Sequence, residues 1–292
     1  MPERPSAGEL RIRTDDGVEL SGEQEGGDVG GSSILLLHGL TATRRYVVMG
    51  SRTLQRAGYR VIAYDARGHG RSTAAPEPGA YGYDRLAADL EAVLDTLGLE
   101  RAVLAGASMG AHTAVRFALS HPERVAALGL ITPSFDPDLP TDPAAFAGWD
   151  ALARGLRERG VEGFVDAYDF SELPAEWRGT VERVVRQRLA AHEHPRAVAD
   201  ALEVVPRSRP FEDISELAGI VAPTVVVASR DEADPGHPLA VGERYARTIP
   251  GATLVVEDAG PPARSPIAWQ GGQLSKVLIE LAAGLLGKQK SV

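Results

Sequence analysis

Six short apolar runs constrain this chain most: Ser33–Leu37, Tyr59–Asp65, Ala102–Ala105, Val125–Ile131, Thr224–Ala228 and Thr253–Val256. Runs of four to seven residues without polar alternation read as strands covered on both faces. Helix-period stretches separate several of them. Leu86, Leu90, Val93, Leu94 and Leu97 share one face over 83–97, a second helix runs from Met109 to Ser120, and a last one carries Leu274, Val277, Leu278, Leu281 and Leu285. This alternation implies right-handed βαβ crossovers and an α/β fold, with a mostly parallel twisted sheet flanked by helices. Weak alternation over 9–24 predicts a hairpin about Asp16-Gly17, and a helix is predicted from just past His38-Gly39 to about Ala57, stopped by Gly58.

The rhythm stops between about 138 and 217. Helices are predicted around 144–168, 175–192 and 195–205, and the strand pattern resumes at Thr224. The predicted organisation is a core of residues 1–139 plus 217–292, with residues 140–216 as a helical cap insert. An insert placed there sits over the carboxyl ends of the strands, where open α/β sheets bind ligands. Its apolar residues Phe146, Trp149, Leu152, Phe164, Tyr168, Phe170 and Trp177 suit either the underside of a lid or a core of its own.

Composition narrows the function classes. At 292 residues, 43% hydrophobic and 24% charged, the chain can bury a core without staples and does not read as disordered. A formal net charge of −9 argues against a nucleic-acid groove. The absence of cysteine excludes disulfides, a zinc ribbon and a thiol nucleophile. No stretch reaches the length of a membrane span, and because Met1-Pro2-Glu3-Arg4-Pro5 lacks a basic start followed by an apolar run, no signal peptide is expected. The expectation is a cytoplasmic protein acting on a small molecule, with no nucleic-acid or membrane partner; oligomeric state is left open.

The strand Val103-Leu104-Ala105 runs through Gly106-Ala107-Ser108-Met109-Gly110 into a helix. Gly-x-Ser-x-Gly between strand and helix places the serine on a sharp elbow, its hydroxyl projecting from the sheet edge. The flanking glycines are needed because a side chain at either position would collide with neighbouring backbone. The helix that follows aims its amide dipoles at the hydroxyl and favours developing negative charge. Ser108 is therefore the candidate nucleophile.

With Leu35-Leu36-Leu37-His38-Gly39-Leu40, Tyr64-Asp65-Ala66-Arg67-Gly68-His69-Gly70-Arg71-Ser72, the serine pentapeptide, and Val225-Val226-Val227-Ala228-Ser229-Arg230-Asp231 in this order, the chain resembles α/β-hydrolases of the capped esterase, lipase and enol-lactonase type. The resemblance implies oxyanion donors at the backbone N–H groups of Leu40 and Met109. It implies Asp231 as the acid that orients an imidazole, with Asp234 in reserve. It assigns His38 to holding its loop. Arg67-Gly68-His69-Gly70 reads as a buried polar knot, with Arg67 and Arg71 as rival contacts for an anionic substrate.

The chain departs from the family at the base. The family's histidine follows the last strand, usually after a glycine, but here Gly260 is followed by Pro261 and no histidine exists after His237. A serine needs a base, so another group must serve or activity must be weak. Of the seven histidines, His112 is expected to pack toward the sheet, His121 to be exposed, and His192 and His194 to lie at a solvated helix end. His237, on the loop of Asp231, is the candidate base; Glu257 and Asp258 are carboxylate alternatives. No cofactor or metal is expected. The reading is a serine hydrolase of a small carboxylic ester, thioester or lactone. A degenerate small-molecule-binding member is the alternative, and lyase or isomerase chemistry using the oxyanion hole alone is the third.

Overall fold

Alternate residues of each central strand feed two different cores, and this is why the strands read as unbroken apolar runs. Leu35 and Leu37 of β3 (Ser33–Leu37), Ile62 of β4 (Arg60–Tyr64), Leu104 of β5 (Ala102–Ala107), Leu128 and Leu130 of β6 (Val125–Ile131) and Val226 of β7 (Thr224–Ala228) face one side. There they meet α2 (Tyr83–Thr96), α3 (Met109–Ser120) and α7 (Leu239–Thr248). Ile34, Leu36, Val61, Ala63, Val103, Ala105, Ala127, Val225 and Val227 face the other side, against α1 (Thr53–Arg56) and α8 (Gly271–Gln289). Leu278 of α8 lies so close to Gly129 that a side chain on that glycine would displace it.

The computed structural model describes residues 8–27, 33–139, 143–171, 173–230, 236–257, 269 and 271–289. They form an eight-stranded sheet in the order β1-β2-β4-β3-β5-β6-β7-β8. The hairpin of β1 (Gly8–Arg13) and β2 (Glu19–Glu25) is antiparallel and pairs antiparallel with β4. The remaining pairs, ending at β8 (Thr253–Val256), are parallel. The α/β class, the flanking helices and the hairpin agree with the sequence reading.

The helix predicted from past Gly39 to Ala57 does not form as such. A three-residue 3-10 turn at Arg44–Tyr46 and the four-residue α1 stand in its place. Thr41, Met49 and Gly50 adopt positive φ (63°, 49° and 70°), which no right-handed helix accommodates. The Arg44 N–H and guanidinium instead turn to the buried Asp65 carboxylate.

Between β6 and β7 lie α4 (Pro143–Ala167, kinked at Gly160), α5 (Ala175–Leu189) and α6 (Pro195–Val204). They enclose an apolar cluster of their own that includes Leu156, Phe164, Val185, Leu189, Val198 and Leu202, with Trp149, Leu152, Tyr168 and Phe170 at its margin. The insert's large apolar residues therefore mostly pack on each other. Helix α6 is apolar on two faces: Ala197 and Ala201, followed by Val205, pack onto Ala66, Tyr81, Tyr83, Leu86 and Met109 beside the sheet.

Candidate active site

Ser108 joins β5 to α3 at φ 50° and ψ −114°, a backbone conformation rarely open to a side-chain-bearing residue. Hydrogen bonds and packing hold it there. Ser108 N–H donates to the Ile131 carbonyl at 2.9 Å, and His112 N–H donates to the Ser108 carbonyl at 3.1 Å. A methyl group on Gly106 would enter the backbone of Gly110, and one on Gly110 would enter the Leu37 carbonyl, so both glycines are required by close approach.

The Gly39-Leu40-Thr41 turn lies against this elbow: a methyl group on Gly39 would touch Ser108 Cβ at 3.4 Å. Half-buried Leu40 packs into both the insert cluster and the Met109 cluster. No hydrogen-bond acceptor is paired with the Leu40 or Met109 N–H among the described residues. The turn and the start of α3 thus bring two open donors beside one serine.

Arg67 is fully buried. Its Nε and Nη2 donate to the two carboxylate oxygens of Asp89 at 2.8 and 2.6 Å, and its Nη1 donates to Asp16 at 2.8 Å and to the Ala80 carbonyl at 2.9 Å. Burial raises the Asp16 pKa, but bonds from Arg67 and Thr14 outweigh it and hold the carboxyl at about 2. With every hydrogen bond turned inward, Arg67 is structural; half-exposed Arg71 pairs with Glu9 at 3.4 Å and Glu193 at 3.7 Å.

Four histidines are buried and held neutral by that burial. His38 Nδ1 donates to the Gly39 carbonyl at 2.8 Å, and its Nε2 accepts the Ala66 N–H at 2.9 Å. It holds its loop, as the sequence suggested. His112 Nε2 accepts the Ser134 and Phe135 N–H groups at 3.0 and 3.1 Å, its Nδ1 faces Tyr83 Oη at 3.0 Å, and its pKa falls to about 3. His69 Nδ1 donates to the Arg67 carbonyl at 3.0 Å, and its Nε2 is buried with no hydrogen-bond partner among the described residues.

His192 corrects the sequence reading. It is not solvated but 8% exposed, because its ring is inserted between two loops of the sheet domain. Its Nδ1 accepts the Gly70 N–H at 2.8 Å and its Nε2 donates to the Thr41 carbonyl at 3.0 Å. His194, by contrast, sits half-buried at the N-cap of α6. No group of three His, Cys, Asp or Glu side chains converges as a metal site among the described residues.

His237, half-buried just ahead of α7, lies close enough to His112 to contribute to the lowering of its pKa. It is thereby near the first turns of the helix that Ser108 begins. Asp231, Asp234, Asp258 and Pro261 lie outside the described residues. Glu257 acts as a clip between strand ends: its carboxylate accepts the Arg230 N–H, and Arg230 Nε reaches its carbonyl at 3.3 Å. The end of β8 is three strand spacings from β5, about 14 Å. A cavity of about 760 Å³ opens elsewhere, walled in part by Glu23, Arg44, Arg52 and Arg71, and neither Ser108, Leu40 nor Met109 lines it.

The family described as alpha/beta hydrolase fold matches residues 33–263. A 2-hydroxy-6-oxononadienedioate/2-hydroxy-6-oxononatrienedioate hydrolase of Pseudomonas putida is 34% identical over 236 residues, 78% of this chain and 80% of that protein. A thermophilic esterase from Thermogutta terrifontis superposes with TM-score 0.70 at 27% identity, covering 97% of this chain and 99% of the esterase. The enol-lactonase of Burkholderia xenovorans LB400 shares the fold, with TM-score 0.67 at 22% identity over 94% of this chain and all of that one.

Proposed function

This chain belongs to the alpha/beta hydrolase family, and from that premise we propose that it hydrolyses a small carboxylic ester, thioester or lactone at Ser108. Ser108 Oγ attacks the acyl carbon, and the Leu40 and Met109 N–H groups receive the charge that develops on the carbonyl oxygen. Collapse of that intermediate expels the alcohol or thiol and leaves an acyl-serine, which water then hydrolyses. His237 takes the Oγ proton and returns it to the leaving group, and Asp231, six residues earlier in the sequence, orients its imidazole. The helical insert, residues 140–216, forms the cap over this site.

The observation that carries the reading is the strained conformation of Ser108 between two glycines that admit no side chain. For the base, the support is that four of the other six histidines are engaged or distant, His69 and His194 not being among those four. His38, His112 and His192 have both ring nitrogens engaged. His121 stands at the far end of α3, about 18 Å of helix from Ser108.

A fluorophosphonate probe tests the nucleophile: it is expected to label the wild-type chain and not Ser108→Ala. Ser108→Ala is also expected to abolish turnover of p-nitrophenyl butyrate while leaving the fold intact. Wild-type turnover in that variant sinks the serine reading. His237→Ala is expected to lower kcat by several orders of magnitude. A silent His237→Ala, together with a gain of activity in Pro261→His, would show that the base is missing rather than moved. The substrate panel includes a 2-hydroxy-6-oxo-dienedioate, after the name of the Pseudomonas putida relative.

A further inference from the structure

Thr41 follows the proposed oxyanion donor Leu40 and sits at φ 63°, a conformation that a β-branched residue adopts only when its surroundings enforce it. The enforcing groups come from the insert. His192 Nε2–H takes the Thr41 carbonyl at 3.0 Å, and the Arg188 guanidinium donates to Thr41 Oγ1 at 2.8 Å. The same imidazole accepts the Gly70 N–H through Nδ1 at 2.8 Å, and the Glu193 N–H donates to the Gly70 carbonyl at 2.8 Å. One ring thus ties together the turn after β3, the loop after β4 and the segment between α5 and α6. These contacts span 151 and 122 residues of sequence.

The bonding pattern also fixes the tautomer. The backbone N–H of Gly70 can only donate and the carbonyl of Thr41 can only accept, so the ring serves both only as the neutral Nε2–H form. His69 lies 5.5 Å from His192 ring to ring, and His38 lies 5.2 Å from His69, so the three rings form a row.

We propose that His192 is a positioning residue for the Leu40 oxyanion donor, so that docking of the insert and setting of the donor are one event. This rests on the hydrolytic reading at Ser108. The chemistry is specific. An oxyanion donor acts only when it is held where the charge will appear, and the turn carrying Leu40 has its next residue gripped by the insert through both carbonyl and hydroxyl. His192 touches no reacting atom; it acts through the Thr41 carbonyl.

The test uses the full chain with His192→Leu, which keeps the bulk and removes both bonds, and His192→Gln, whose amide can accept from Gly70 and donate to Thr41. On p-nitrophenyl butyrate, His192→Leu is expected to lower kcat at least tenfold with KM within threefold of wild type. Hydrogen exchange in the 39–45 segment is expected to quicken at least tenfold. His192→Gln is expected to bring both back to within threefold of wild type. A His192→Leu enzyme with wild-type kcat, or with wild-type exchange in 39–45, overturns the proposal. So does a folded Gln variant no better than Leu.

Should the Leu variant lose its cooperative melt, wild-type exchange decides. His192 is faced by His38, His69, Asp65 and Arg188; protonating it sets Nδ1–H against the Gly70 N–H. Protection of the 39–45 amides must then fall as His192 titrates, and a turn still protected after that titration overturns the proposal. Absence of fluorophosphonate labelling in the wild type takes down the hydrolytic reading instead, and exchange then decides the latch by itself.

Discussion

Arg67 is the residue on which the loop beside the elbow depends. Replacing it with Met leaves Asp16 and Asp89 without their cation, and breaking one side of a buried pair destabilises by about 3–5 kcal/mol. Urea denaturation of Arg67→Met is expected to show a loss of that order. Gly110→Ala forces a methyl group onto the Leu37 carbonyl, so backbone must move. It is expected to lose fluorophosphonate labelling even in protein that still melts cooperatively. Ser108 and its glycines were legible in the sequence because the elbow is a local device, written in five consecutive residues. His192 was not, because its partners Thr41 and Gly70 are distant in the chain and nothing near Pro195 distinguishes a buried ring from a solvated one. No pattern of residue types marks it; only the folded proximity of three loops does.

The central strands were readable as elements because burial on both faces leaves no polar alternation to mislead. The failed helix past Gly39 has the opposite cause: apolar spacing there serves turns, and the positive φ of Thr41 and Met49 has no signature in residues that are neither Gly nor Asn. At the scale of the insert, neither face of the sheet takes a side chain of its core from α4, α5 or α6. A chain with residues 143–207 replaced by a short linker is therefore expected to unfold cooperatively, at a lower urea midpoint. The loss reflects the α6 face that covers Tyr81, Tyr83 and Met109. Abolition of any cooperative transition in that chain would show that the insert is indispensable to the core. The contact of α6 with Met109 was not legible either, since an Ala-rich helix with two apolar faces reads the same whether one or both are covered.

Across the whole molecule, the buried histidines set an acid limit to stability. Burial moves His112 from the ordinary 6.5 to about 3 and His192 to about 4. The unfolded chain therefore binds protons between pH 6.5 and 4 that the folded chain refuses. Stability is fully present above pH 6.5 and falls as the pH drops below it. By pH 5 each of the two groups has removed about 2 kcal/mol, and urea midpoints at pH 7 and pH 5 are expected to differ accordingly. At the outer margin of the sheet, β1 alternates inward Leu10 and Ile12 with exposed Glu9, Arg11 and Arg13. A free strand edge is a template on which another molecule can add a strand, and charges along it are what keep such a surface inert. Concentrated solutions should therefore stay clear only while that fringe keeps its charges. Valine at positions 9, 11 and 13 is expected to turn a well-dispersed protein into one that scatters light and sediments as fibres or clumps, with fluorophosphonate labelling as in the wild type in whatever fraction remains dispersed.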